Sequence, residues 1–136
     1  VGPVVAERLR RAGAVVLDCA DEPTRLLDLW DGLDAVVVVD AIRGGATPGA
    51  LYRMDVGDGP LPRDLRLAST HAMGIADALE LGRALGRAPR RVVVLGVEGA
   101  TFGIGDEMTP AVTAALDELV ASVLRDLEEA TCTSAR

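Results

Sequence analysis

The stretch Ala35-Val36-Val37-Val38-Val39-Asp40-Ala41 decides the fold. Successive side chains of a strand point to opposite faces, so four consecutive valines make both faces apolar. A strand wetted on one side alternates apolar with polar residues. One that is apolar on both sides is a central parallel strand covered by helices above and below. Arg91-Val92-Val93-Val94-Leu95-Gly96-Val97 has the same character and predicts a second such strand. Each run ends in an acid, Asp40 after the first and Glu98 after the second.

Helical patterns alternate with these runs. Val1, Val5, Leu9 and Ala12 recur at helical spacing, Pro3 suits a first turn, and Gly13 stops the helix predicted over 3–12. Residues 14–19, AVVLDC, form a short apolar run of strand type. A short helix follows over 23–30, with Asp21 or Glu22 as its cap and Gly32 as its break. Residues 43–49 contain Gly44, Gly45, Pro48 and Gly49 and must be a loop. Residues 50–55 and 65–69 are weaker strand candidates, separated by a turn-rich stretch over 57–64. Ala72, Ile75, Ala76 and Leu79 share one face of a helix predicted over 72–85, closed by Gly86 and Pro89. A glycine-rich loop runs from Glu98 to Met108. Thr109-Pro110 then supplies a cap and a first-turn proline. The last helix carries the stripe Val112, Leu116, Leu119, Val120, Val123, Leu124 and Leu127, and the small polar tail after Ala130 is expected to fray. This order predicts one α/β domain over 1–136: a three-layer α/β/α structure with a twisted, mostly parallel sheet. In such sheets ligands bind beyond the carboxyl ends of the strands, where Asp40 and Glu98 stand.

Composition narrows the chemistry. At 136 residues, 49% hydrophobic and 26% charged, the chain is one ordinary globular domain. Its fourteen basic residues are all arginine, so a phosphate-loop lysine, a Schiff base and a lysine base are excluded. A net charge of −7 with one Phe, one Tyr and one Trp argues against nucleic acid. No apolar run approaches the roughly 18 residues of a membrane helix, and no signal peptide opens the chain. Cys19 and Cys132 make no disulfide framework, and a reducing cytoplasm is the expected compartment.

Three residues carry the candidate chemistry. Asp40 is displayed at a strand end, where it either caps a turn or serves as a metal ligand or acid/base group. His71, the single histidine, lies in Ser69-Thr70-His71-Ala72-Met73-Gly74, just ahead of a predicted helix. One imidazole with one or more carboxylates makes an open divalent-metal site, provided a third ligand exists. Glu98 is the internal candidate for that third ligand; its plain alternative is to structure the glycine-rich loop. Other constellations are weaker. Ser69 with His71 lacks a nucleophile elbow, Cys19 reads as a small buried hydrophobe, and Gly44-Gly45 is no dinucleotide fingerprint. A receiver-type phospho-acceptor at Asp40 would need a lysine.

Taken in order, four stretches resemble the hydrogenase maturation endopeptidases: VGPVVAERL from Val1, VVVVDAIRGGATPG from Val36, STHAMGIADALELGRALG from Ser69, and VVVLGVEGATFGIGDEMTPAV from Val92. The resemblance covers nearly the whole chain. It implies an enzyme that clips the C-terminal peptide from the precursor of a nickel–iron hydrogenase large subunit after nickel insertion. It further implies that Asp40 and His71 are the catalytic and metal-contacting residues. The metal would be nickel supplied by the substrate, or another divalent ion. The family's third contact, an acid, belongs a few positions before Val1, together with its first, central strand, so the 1–136 domain is expected to lack both. Where many relatives have an Asp-Gly-Gly-Thr turn this chain has Asp18-Cys19-Ala20-Asp21, and where many have Glu-Pro it has Glu98-Gly99. The family is grouped sometimes with metallopeptidases and sometimes with aspartic ones, so the implied reaction is peptide hydrolysis of either type. The rival expectation is a non-enzymatic α/β module that binds a metal or small molecule.

Overall fold

The computed structural model describes residues 1–17, 25–56, 59, 75–99 and 107–134. In chain order these form α1 (Gly2–Arg11), α2 (Arg25–Trp30), β1 (Ala35–Ile42), β2 (Leu51–Val56), α3 (Ile75–Ala84), β3 (Arg91–Glu98) and α4 (Pro110–Ser134). The strands lie in the order β1-β3-β2. β1 runs parallel to β3 and β2 antiparallel to it, so the described sheet is mixed.

Period-two alternation along β3 builds the layers. Val93, Leu95 and Val97 face α1 and α4, where they meet Val5, Leu9, Val112, Leu116, Leu119 and Val123. Val92 and Val94 face the other way, onto Leu27 and Trp30 of α2 and Ala76, Ala78 and Leu79 of α3. β1 divides in the same manner, Val37 and Val39 toward α1 and α4, Val36 and Val38 toward α2 and α3. Helices thus cover both faces, and the fold is the three-layer α/β/α type. The doubly apolar reading of both valine runs holds. Both were expected to be central: β3 is central in the described sheet and buried from Val92 to Glu98, whereas β1 lies at the edge of that sheet and only its Ile42 is fully buried. The outer backbone edge of β1 has no strand beside it among the described residues, and its valines are only partly buried.

Glycines stop the helices where the sequence placed them. After α1, Gly13 takes φ +88° and donates to the Arg10 carbonyl, while Ala14 donates to the Leu9 carbonyl. After α3, Gly86 takes φ +69° with Gly86 donating to Arg83 and Arg87 to Gly82. Both are Schellman closures, which need a left-handed residue at that position. At the start of α4, Thr109 Oγ1 accepts from Val112 N–H at 3.4 Å. α4 continues through Thr131 to Ser134 instead of fraying after Ala130, and the Thr131 hydroxyl donates back to the Leu127 carbonyl at 3.0 Å. Residues 14–17 do not form a strand: Ala14 and Val16 pack on the α1–α4 core while Val15 and Leu17 are exposed. The rest of the 14–19 run, the strand candidate over 65–69, and positions 23–24 and 72–74 of two predicted helices lie outside the described residues.

Residues 85–90 return the chain from α3 to the amino end of the sheet, where Arg91 N–H donates to the Asp34 carbonyl at 3.1 Å. α3 therefore runs back along β3, and its first turn is directed toward the carboxyl rim.

Candidate active site at the carboxyl rim of the sheet

The register brings the two strand-end acids to one rim. Asp40 pairs with Gly96, and Ile42 with Glu98. Asp40 continues the row of Val36 and Val38, and Glu98 the row of Val92 and Val94, so both belong to the face covered by α2 and α3. Gly96 has no side chain because Ile42 leans over it; a Cβ there would collide with the isoleucine.

Asp40 is half-buried, and its Oδ1 accepts the Ala41 N–H at 2.8 Å. A carboxylate at a strand end is of the type that serves as an acid/base group or a cation ligand. His71, Ser69 and Cys19 lie outside the described residues. Cys132 is exposed on α4. Among the described residues no three His, Cys, Asp or Glu side chains come together as a metal-binding group.

Glu98 is 3% exposed and turned toward the loop that follows β1. Its Oε2 accepts from Gly44 N–H at 2.9 Å and from the Tyr52 hydroxyl at 2.7 Å, and its Oε1 accepts from Gly45 N–H at 3.0 Å. Burial pushes the carboxyl up, but the bonds from Tyr52 and from the N–H groups of Gly44, Gly45 and Ala46 outweigh it and hold it below the usual range. The same bond, reinforced by burial and by the Glu98 charge, pushes the Tyr52 hydroxyl up, against a smaller opposing pull from the Ala46 backbone. Consecutive backbone N–H groups around a carboxylate form an anion nest. Glu98 structures loop 43–49, the loop that follows β1. The glycine-rich stretch 100–106, the loop expected from the sequence, lies outside the described residues.

Sequence reasoning missed Tyr52. The signal was available: in a strand over 50–55, Tyr52 and Met54 share a face, and a tyrosine on a buried face needs a hydroxyl partner. Gly44 answers to the same contact, since a Cβ there would lie 2.5 Å from Tyr52 Oη and 3.2 Å from Glu98 Oε2.

The other end of the sheet, on the α4 face, holds a different set of charges. Arg91 grips Asp55 with Nε at 3.2 Å from each carboxylate oxygen and Nη2 at 2.7 Å. Arg53 grips the buried Asp126 of α4 at 2.6 and 3.3 Å. Glu129 lies 3.8 Å from Arg91. The Arg91 hydrogen bond pulls the Asp55 carboxyl below its usual value, against the opposing effect of burial.

This sequence and architecture match known proteins. Residues 4–126 match the family model described as HycI, hydrogenase maturation protease, and the chain belongs to that family. It is 28% identical over 117 residues to the hydrogenase expression/formation protein HupD of Rhodobacter capsulatus, covering 85% of this chain and 56% of that one. To the HupD of Thiocapsa roseopersicina it is 31% identical over 115 residues, covering 76% and 51%. The chain thus spans about half the length of the curated relatives it matches. In fold it is similar to the hydrogenase maturating endopeptidase HybD from E. coli, with TM-score 0.77, 24% identity and coverage of 94% and 82%. It is also similar to the [NiFe] hydrogenase maturation protease HybD from Thermococcus kodakarensis, with TM-score 0.71, 23% identity and coverage of 91% and 86%.

Proposed function

We propose that this chain is an endopeptidase domain that removes the C-terminal peptide of a nickel–iron hydrogenase large-subunit precursor after nickel has been inserted. The family match over residues 4–126, with Asp40 at the carboxyl rim, carries this reading. Asp40 and His71 are the residues assigned to the substrate's metal. The nickel arrives with the precursor, so a sparse protein ligand set suffices. One carboxylate and one imidazole supply a hard and a borderline donor, a pairing that suits a divalent first-row ion. Such an ion polarises a carbonyl or acidifies a water. Where the ion serves only to dock the substrate, Asp40 is placed to take the proton from the attacking water as general base.

His71 belongs to the segment ahead of α3, whose first turn is directed toward this same rim. The outer edge of β1, beside which no described strand lies, is where we assign the further strand implied by the family resemblance, and with it the third, acidic contact. No helix among the described residues is long and apolar enough to cross a membrane. We assign the reaction to the cytoplasm, where a precursor would meet its nickel before export or assembly.

The test is incubation of the chain with a nickel-loaded precursor while mass spectrometry follows loss of its tail. Asp40→Asn and His71→Ala are each expected to lower cleavage by a factor on the order of 100 or more, the usual scale for a lost acid/base group, with an unchanged circular dichroism spectrum. Cleavage at the wild-type rate by either variant would refute the assignment.

A further inference from the structure

We propose that Glu98 is a positioning residue: it locks the exposed loop 43–49 into one shape beside Asp40, and the locked loop is the wall along which the precursor's tail is aligned for cleavage. This inference rests on the endopeptidase reading above.

One residue holds the loop at both ends. The Glu98 carboxylate takes the N–H groups of Gly44 and Gly45. The Glu98 backbone carbonyl takes the Gly49 N–H at 2.9 Å, and its N–H donates to the Ala50 carbonyl at 2.8 Å. Residues 43–47 are exposed, and Ala46 carries their one apolar side chain. A glycine-rich segment of this kind moves unless it is tied down. The tie is expensive in itself, since a buried carboxylate costs several kcal/mol unless its lone pairs are filled, and apolar residues generally serve stability as well. Among the described residues no arginine meets Glu98; its hydrogen bonds come from the loop and from Tyr52. The acid and the loop shape therefore depend on each other.

The glycines bring the backbone down tightly. Gly45 and Gly49 take φ +86° and +91°, and a Cβ at Gly49 would lie 2.7 Å from the Ala111 carbonyl at the start of α4. Gly44 lies against Tyr52, with no room for a methyl. With the N–H groups of Gly44, Gly45, Ala46 and Gly49 turned inward to Glu98, what the loop offers beside Asp40 is a fixed shape and its remaining main-chain groups. Main-chain groups in fixed positions recognise an extended peptide without demanding particular side chains. An extended tail crossing the rim is the substrate that such a wall fits.

The mild variant is Tyr52→Phe, which removes one donor to Glu98 and keeps the ring. We expect amide exchange at 44–46 to rise by about tenfold, the scale of one lost hydrogen bond to a charged group, while exchange in β3 and α4 is unchanged. KM for the nickel-loaded precursor should rise several-fold with kcat within about twofold of wild type, as expected for lost alignment in binding. Gly44→Ala, whose methyl would meet Tyr52 Oη, should behave likewise. Combining it with Tyr52→Phe removes that oxygen and should cost less than the sum. Unchanged exchange at 44–46 overturns the clamp. Faster exchange with wild-type KM and kcat overturns the wall, as does a loss confined to kcat. A wild-type chain that does not cleave sinks the endopeptidase reading instead. The wall is then judged by precursor binding alone, and equal binding by wild type and Tyr52→Phe overturns it.

Discussion

The two ends of the sheet hold their carboxylates in different ways. At the amino end, Asp55, Asp126 and Glu129 are met by the guanidinium groups of Arg53 and Arg91, so charge is cancelled by charge. At the carboxyl end, Glu98 is met by backbone N–H groups and a phenol, and Asp40 by the backbone N–H next to it. Dipoles stabilise a carboxylate without cancelling it. Glu98 therefore keeps its negative charge at the carboxyl rim, while the amino end ties β2, β3 and α4 together. On the proposed function, the difference separates a scaffold from a site within one small sheet.

The sharpest way to break this comparison is to cut the strongest link at the amino end. Arg53→Met leaves Asp126, 5% exposed, without its guanidinium partner. Arg53 itself is nearly half-exposed, so water replaces part of what is lost. The expected cost is about 2 kcal/mol, within the range for hydrogen bonds to charged groups, read as a lowered urea midpoint. Precursor cleavage per folded molecule should be unchanged. A large fall in cleavage with unchanged stability would show that the amino end is part of the site and that the division is wrong.

Arg91→Met probes the same end more gently. Asp55 and Arg91 are both partly exposed, at 39% and 31% of their side chains, and such pairs contribute about 1 kcal/mol or less. The urea midpoint should fall by less than for Arg53→Met. The reverse order of effects would mean that exposure does not set the weight of these pairs.

Much of this division was legible in the sequence. Four valines ending in Asp40, and a second apolar run ending in Glu98, placed two acids at strand ends, and the parallel register of β1 and β3 does bring both ends to one rim. Gly13, Gly86 and Thr109-Pro110 marked helix ends by local chemistry alone, and the structure uses each of them so. The order of the strands was not legible. Burial on both faces says that helices lie above and below a strand, and says nothing of what pairs with its edges; β1 satisfied the first and lies at the edge of the described sheet. The grip of Glu98 on loop 43–49 was equally hidden. It joins residues more than fifty positions apart through backbone N–H groups, which carry no letter in a sequence. Arg53 with Asp126 is a pairing of the same long-range kind, and an arginine-rich, acid-rich composition allows too many partners to select one.

Acid and salt together give the finest test. Glu98 and Asp55 both have carboxyl groups held below their ordinary values in the folded chain, Glu98 by hydrogen bonds that outweigh burial and Asp55 chiefly by Arg91. A carboxyl depressed on folding contributes stability that is fully present above its unfolded value, near 4, and is lost as pH falls through the lower folded value. Stability should thus decline below about pH 5 from both ends of the sheet. Salt separates them. At about 1 M the screening length is roughly 3 Å, and the partly exposed Asp55–Arg91 attraction weakens, while hydrogen bonds from Gly44, Gly45 and Tyr52 to a buried carboxylate do not. The acid-dependent loss that survives high salt should therefore belong to Glu98 and shrink in Glu98→Gln, whereas the salt-sensitive part should shrink in Asp55→Asn. Urea titrations at pH 7 and pH 4, each at low and high salt, read both parts. A surviving loss that is the same in wild type and Glu98→Gln would mean that the carboxyl end is held by something other than the Glu98 charge.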